Sequence, residues 1–187
     1  MFAPEYATLL LQLFQDGEII AYPTEAVFGL GCDPDNQTAV MRLLALKKRN
    51  IDKGLILVAS NYQQLQPYIE ESSIPPNRMN DILASWPGPN TWLLPASANV
   101  GQWLTGGSDV VAVRVSQHPV ICMLADLFQK PLVSTSANVS GQPAALSIEQ
   151  VMQQFANQVH PIDGPLGGAS KPSRIRHGLS GAIIRES

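Results

Sequence analysis

Polar side chains follow three apolar segments of the sequence, and these positions are the first candidates for chemistry. They are Thr24 and Glu25 after EIIAY, Arg114 after VVAV, and Ser134 and Ser136 after PLV. Apolar runs of this length with β-branched residues indicate buried strands. Because ligands of open α/β sheets bind where strands end, we expect three separate strands to supply one crevice.

The residue types at these positions suit an anionic ligand. Hydroxyl and amide groups form hydrogen bonds with phosphate or carboxylate oxygens without adding charge. Lys47, Arg49 and Arg114 would supply positive charge, and arginine grips a carboxylate through two parallel hydrogen bonds. A structural alternative stays open for the serines, namely a strand end followed by a turn, and for Glu25, namely a surface carboxylate near a turn.

Basic residues concentrate in two stretches of the chain. Of 12 Lys and Arg residues, five fall between Arg42 and Lys53 and four between Lys171 and Arg185. The two clusters either converge in space or form two solvated faces, which is the usual role of a charge run. The net charge of -3 argues against a protein coated in positive potential for gripping long nucleic acid.

Several common chemistries lack their motifs in this sequence. The chain contains neither G-x-x-x-x-G-K-[ST] nor G-x-G-x-x-G, and G-x-S-x-G is also absent. The three histidines are not at metal-ligand spacing, and Cys32 and Cys122 lie too far apart in sequence for a local zinc or redox motif. We therefore expect no P-loop, serine hydrolase or zinc chemistry, and no metal ligand from the protein itself.

Helical and extended periodicities alternate along the chain and predict one α/β domain over residues 1–187. A first helix stops at Gly17, and a second carries Val40, Leu43 and Leu44 on one face. Further helices are predicted over 61–69, 76–85, 119–129 and 147–156, with strands in EIIAY, GLILVA, VVAVRV, KPLVS, VHPI and GAIIR. Near-continuous apolar strands favour a twisted mixed sheet covered on both faces.

The apolar runs are too short to cross a membrane. The segment LILVA is typical of them, whereas a span needs about 18 consecutive apolar residues. The first basic residue is Arg42, so the amino terminus has no positively charged flank of a secretory signal. We expect a cytoplasmic protein.

Five segments, in order and with matching spacing, resemble the YrdC family from about residue 8 to the carboxyl end. They are PTEAVFGLG at 23–31, LKKR at 46–49, WPGPNTWLLPA at 86–96, VAVRV at 111–115 followed by HP, and PLVSTSANVSG at 131–141. The resemblance implies an open twisted α/β sheet with a large basic concave cavity.

The resemblance also implies a reaction in which L-threonine, bicarbonate and ATP give L-threonylcarbamoyladenylate and pyrophosphate, with Mg²⁺ on the ATP. The product would serve threonylcarbamoyl modification of the adenosine beside the anticodon in tRNA, alongside TsaB, TsaD and TsaE. One alternative is a module that binds tRNA or double-stranded RNA without catalysis. Another is a carbamoyl-transferring domain of the hydrogenase-maturation type.

The resemblance implies site residues at the positions of this chain that match the family's motifs. The threonine-binding set implied by the resemblance is Thr24, Arg114, Ser134 and Ser173. The ATP-binding set is Lys47, Ser136, Asn138 and Arg185, and Lys47 and Arg49 are the implied catalytic residues. Carbamate, carboxylate and triphosphate together crowd negative charge, so cations and oriented hydroxyls would carry the step without a covalent nucleophile.

Overall fold

The structure is a computed structural model that describes residues 3–186, so residues 1, 2 and 187 of the predicted domain lie outside the described residues. The helices are α1 (Pro4–Gln15), α2 (Gln37–Leu46), α3 (Pro76–Ala84), α4 (Gln102–Thr105), α5 (Pro119–Phe128) and α6 (Ile148–Phe155). The strands are β1 (Ile20–Pro23), β2 (Phe28–Gly31), β3 (Ile56–Ala59), β4 (Asn90–Pro95), β5 (Val110–Val115), β6 (Leu132–Ser136), β7 (His160–Pro161), β8 (Arg174–His177) and β9 (Ile183–Arg185).

Within these residues the strands form one open sheet in the order β7-β1-β2-β6-β3-β5-β4-β8-β9. Three neighbouring pairs are parallel, β1 with β7, β3 with β5, and β4 with β8. The other pairs are antiparallel. The prediction of a mixed α/β sheet is confirmed.

Most predicted helices are present, and one is not. Helix α1 ends just before Gly17, whose φ of 76° is left-handed, and α3, α5 and α6 coincide with the predicted segments. The helix predicted over 61–69 is wrong, since this stretch forms bends and a short 3₁₀ turn, Gln66–Tyr68. Side chains of Asn61 and Gln64 bond to nearby backbone amides there and compete with helical hydrogen bonds. Within residues 3–186 no helix combines the length and apolarity that a membrane span requires.

The apolar core is divided between the two faces of the sheet. One part lies under α1 and α5, where the rings of Phe14 and Phe128 stack with centroids 3.8 Å apart. On the opposite face Leu57, Val113 and Val133 pack with α2 and α6. Helices therefore lie on both faces of the sheet. On the face that carries α1 and α5 they cover only part of the surface, and polar side chains occupy the rest of that face.

Candidate active site

A cavity of about 420 Å³ lies over the part of the sheet that α1 and α5 leave uncovered. Its lining comes from the turn between β1 and β2, from β2, β3, β5, β6 and β9, from the segment after α2, and from the loop before β8. The residues predicted from the sequence that line it are Thr24, Arg49, Arg114, Ser134, Ser136, Asn138, Ser173 and Arg185. Segments that are far apart in sequence thus meet at one site, although the roles assigned to their residues stay predictions.

Strand register explains why serines of β6 face the cavity. Alternate residues of a strand point to opposite faces of the sheet. Leu132 pairs with Val58 and belongs to the core under α5, so Ser134 and Ser136 lie on the same face farther along. Arg114 pairs with Val58 from the other side and reaches this face as well. On this face of β6, Leu132 lies under α5, and the serines follow where α5 no longer covers the sheet and the cavity begins.

The end of α2 directs Lys47 and Arg49 to different places. The amide of Arg49 donates to the carbonyl of Leu44 at 2.9 Å and that of Lys48 donates to Ala45 at 3.0 Å, which is a Schellman motif. Lys48 takes the left-handed position of this motif with a φ of 50°. The chain therefore reverses at Lys48, so that Lys47 points into the protein and Arg49 lines the cavity.

Lys47 lies behind the cavity wall and is 2% exposed. Its ammonium donates to the carbonyl oxygens of Ser136 and Asn138, the latter at 2.7 Å. Burial, with a smaller effect of the Arg49 charge, lowers the pKa of Lys47 to about 8. In this arrangement the side chain holds the loop after β6, and the catalytic role implied for Lys47 stays a prediction.

Hydrogen bonds also hold the loop that carries Ser136 and Asn138. The Ser136 hydroxyl donates to Oδ1 of Asn138 at 2.6 Å. The Asn138 amide donates to the carbonyls of Val139 at 3.1 Å and Gln142 at 2.8 Å. Both amide hydrogens of Asn138 are used within the loop, so Asn138 orients Ser136 beside the cavity.

Arg114 forms an ion pair inside the cavity that the sequence analysis did not identify. Its Nη2 lies 3.0 Å from Oε2 of Glu25, and the Ser116 hydroxyl donates to Oε1 at 2.6 Å. Burial acts to raise the pKa of Glu25, but the Arg114 charge and the Ser116 hydrogen bond outweigh it and lower that pKa. The interpretation of Glu25 as a surface carboxylate is therefore wrong. A signal was available, because Ser116 follows Arg114 by two positions.

The loop before β8 supplies the remaining wall. Ser173 shares a 2.8 Å hydrogen bond with the Thr91 hydroxyl, and Arg185 donates to the Ser173 carbonyl at 2.9 Å. Arg49 and Arg185 line the same cavity, and burial, followed by the Arg185 charge, lowers the pKa of Arg49. With Arg114 and Lys171, four cationic side chains and one carboxylate line the cavity.

A family model named for Sua5, YciO and YrdC, and described as telomere recombination, matches residues 12–187. The chain belongs to the Sua5/YciO/YrdC family. Within this family, the curated relatives it matches include proteins named threonylcarbamoyl-AMP synthase. The one from Pseudoalteromonas atlantica is 58% identical over 171 residues, which is 91% of this chain and 91% of the relative. The one from Escherichia coli O6:H1 is 48% identical and covers 94% and 93% of the two chains.

Solved structures of the Sua5/YciO/YrdC family have the same fold. The P. abyssi Sua5 complexed with L-threonine is 31% identical with a TM-score of 0.83, and the match covers 95% of this chain. This chain spans about half of that Sua5 chain, 52% of its length. E. coli YciO, at 20% identity, has a TM-score of 0.82, and the match covers 97% of this chain and 89% of YciO.

Proposed function

We propose that this chain is a threonylcarbamoyl-AMP synthase, which joins L-threonine, bicarbonate and ATP into L-threonylcarbamoyladenylate and releases pyrophosphate. The names of the curated relatives and the threonine complex of the P. abyssi relative support the proposal. The observation of this chain that carries it is the cavity lining, in which four cations from distant segments surround hydroxyl-rich walls. A polyanionic substrate needs this combination.

The reaction requires two bonds to form. The threonine amine, having lost a proton, attacks the carbon of CO₂ derived from bicarbonate, and a carbamate results. A carbamate oxygen then attacks the α-phosphorus of ATP, and the bond from that phosphorus to the bridging oxygen breaks as pyrophosphate leaves. The first step places a neutral amine beside CO₂, and the second brings two anions together, so orientation and charge stabilisation by the cavity would supply most of the acceleration.

At the threonine end, we assign the substrate carboxylate to Arg114. Thr24 lines the same cavity and donates its hydroxyl hydrogen to the Val27 carbonyl at 2.7 Å. The Thr24 oxygen is therefore left to accept a hydrogen bond, which suits the amine or hydroxyl of threonine. Ser134 and Ser173 lie on the walls of the same cavity and would orient the other oxygens.

At the nucleotide end, we assign the triphosphate to Arg49 and Arg185. The Ser136 hydroxyl hydrogen is given to Asn138, so its oxygen would accept a hydrogen bond from a hydroxyl of the nucleotide, and Asn138 and Lys47 would position Ser136 through the hydrogen bonds described above. In this proposal Lys47 acts through the loop and through its charge. Removal of Lys47 would therefore weaken ATP binding without removing an acid or a base.

Mg²⁺ would arrive with the phosphates of ATP. Among residues 3–186 no group of three or more His, Cys, Asp or Glu side chains could hold a metal ion. The cavity carboxylate, Glu25, is engaged by Arg114 and Ser116. Magnesium commonly keeps water and substrate phosphates as ligands, and there it would neutralise phosphate charge.

The test incubates purified protein with ATP, labelled bicarbonate and one amino acid at a time, and identifies the adenylate by mass spectrometry. We expect a threonine-dependent product with equimolar pyrophosphate. Arg49→Ala should lower kcat/KM about a hundredfold, as removal of a charge-stabilising donor does. Arg42→Ala, which removes a surface ion pair with Glu18, is the matched control and should leave the rate unchanged. Wild-type rates in Arg49→Ala and Ser134→Ala would overturn the proposal.

A further inference from the structure

We propose that Glu25 and Ser116 position Arg114 for the carboxylate of the amino-acid substrate, and that the Glu25 charge keeps this end of the cavity selective for an amino acid over phosphate. The inference rests on the function proposed above and adds two residues to it. Glu25 and Ser116 act through Arg114, so we describe them as positioning residues.

The geometry holds both oxygens of the Glu25 carboxylate. Oε2 accepts from Nη2 of Arg114 at 3.0 Å and Oε1 accepts from the Ser116 hydroxyl at 2.6 Å. Ser116 is 1% exposed, and its oxygen accepts the amide hydrogen of His118 at 3.0 Å. His118 is the N-cap residue of α5, so the carboxylate is connected to the rigid start of a helix.

The backbone beneath Glu25 is held as well. The Glu25 carbonyl accepts the amide of Ala169 at 2.8 Å, and the Thr24 carbonyl accepts that of Gly167 at 3.0 Å. A side chain in place of the Gly167 hydrogen would bring its Cβ to 3.0 Å from the Cα of Glu25. The turn that carries Glu25 is therefore packed between β5 and the loop that carries Lys171 and Ser173. A carboxylate fixed at both its backbone and its side chain can fix the guanidinium it contacts.

This pairing sets Arg114 apart from the other cations of the cavity. Arg114 forms an ion pair with a carboxylate. In the part of the chain that the structure describes, none of the other three cavity cations does so, namely Arg49, Lys171 and Arg185. Arginine has five N–H donors, so one bond to Glu25 leaves enough for a bidentate contact with a second carboxylate. The Glu25 charge offsets that of Arg114 and repels a multiply charged phosphate. The unpaired cations suit the triphosphate, and the Arg114–Glu25 pair suits a zwitterion, which carries one charge of each sign.

Steady-state kinetics of Glu25→Gln and Ser116→Ala test the inference with threonine and ATP varied separately. Glutamine keeps the shape of glutamate but presents an NH₂ to either Arg114 or Ser116. We expect the KM for threonine to rise about tenfold in Glu25→Gln and at least about threefold in Ser116→Ala, as loss of a charge-assisted hydrogen bond does. The KM for ATP should stay within about twofold of wild type in both variants. Inorganic phosphate should compete with threonine in Glu25→Gln and not in the wild type.

Glu18→Gln is the matched control, because it removes the carboxylate of a surface ion pair with Arg42. It should leave both KM values unchanged. If Glu25→Gln does not fold, as thermal unfolding would reveal, Ser116→Ala decides alone, since it keeps the buried ion pair. An unchanged KM for threonine in the folded variants, or equal increases for threonine and ATP, would overturn the inference. Wild-type protein without threonine-dependent activity would instead refute the proposed function.

Discussion

Lys47, Lys48 and Arg49 are consecutive residues of like charge, yet the structure places them in three environments. Lys47 is buried behind the loop after β6, Lys48 is exposed, and Arg49 is half-buried at the cavity. The Schellman motif at the end of α2 causes this divergence, because the left-handed Lys48 reverses the chain. Each residue can therefore be changed separately and with a distinct expected result.

Substitution of Lys48 by glycine should stabilise the protein. An L-residue in the left-handed conformation costs roughly 1 kcal/mol, which glycine avoids, and the Lys48 side chain is exposed. We expect the free energy of unfolding, from urea denaturation, to rise by about 1 kcal/mol. Ala45→Gly, in the last turn of the same helix, is the control and should lower it by about 1 kcal/mol. Destabilisation by Lys48→Gly would show that the lysine side chain contributes more than its backbone strain costs.

The charge of Lys47 should make ATP binding depend on pH. With a pKa of about 8, below the ordinary value of 10.5, Lys47 is charged at pH 7 and loses its proton as the pH rises through 8. We expect the KM for ATP to rise between pH 7 and 9. Lys47→Met should have a raised KM for ATP at pH 7, and this KM should change little between pH 7 and 9. The same pH profile in wild type and Lys47→Met would assign the pH dependence to another group.

At the scale of elements, β2 depends on a glycine that lets two strands and a ring approach closely. A Cβ at Gly31 would lie 2.4 Å from the carbonyl oxygen of Val133 and 2.9 Å from Cε1 of Tyr22. Neither a buried carbonyl nor a buried ring can move freely, so Gly31→Ala should lower the free energy of unfolding by about 3 kcal/mol. Gly141→Ala is the comparison, because Gly141 has a φ of 86° and open space, and should cost only about 1 kcal/mol. Equal costs in thermal or urea unfolding would contradict the close-approach explanation.

At the scale of the whole molecule, the net charge of -3 coexists with a cavity lined by four cations. Positive charge is thus local and faces inward, which favours a small polyanion over long RNA. ATP at about 100 times its Kd should stabilise the fold by about 2.7 kcal/mol, or roughly 5–10 °C in Tm for a domain of this size. Arg185→Ala should reduce this shift. Stabilisation by double-stranded RNA that falls steeply with salt, with none by ATP, would favour the RNA-binding alternative instead.

Local patterns were sufficient for elements with a strong signal of their own, such as a terminating glycine or a continuous apolar run. Gly17 ends α1, and the apolar runs of β3, β5 and β6 read directly as buried strands. They failed for β2 and β8, which are short and rich in glycine or basic residues, and for β4, which lies in the proline-rich stretch from Pro75 to Pro95. Such segments become strands because a neighbour hydrogen-bonds to them, as β8 does along β4. Pairing of this kind is a tertiary effect that periodicity does not contain.

By itself the sequence determined the class of fold, the family resemblance and the residue types available for anion chemistry. Only the tertiary structure decided which of those residues meet, because register and helix cover are set by contacts between distant segments. It brought Arg49, Arg114, Lys171 and Arg185 to one cavity, placed Lys47 behind its wall, and paired Glu25 with Arg114 and Ser116. The charge of a side chain is encoded locally, whereas the partner that offsets it depends on the fold.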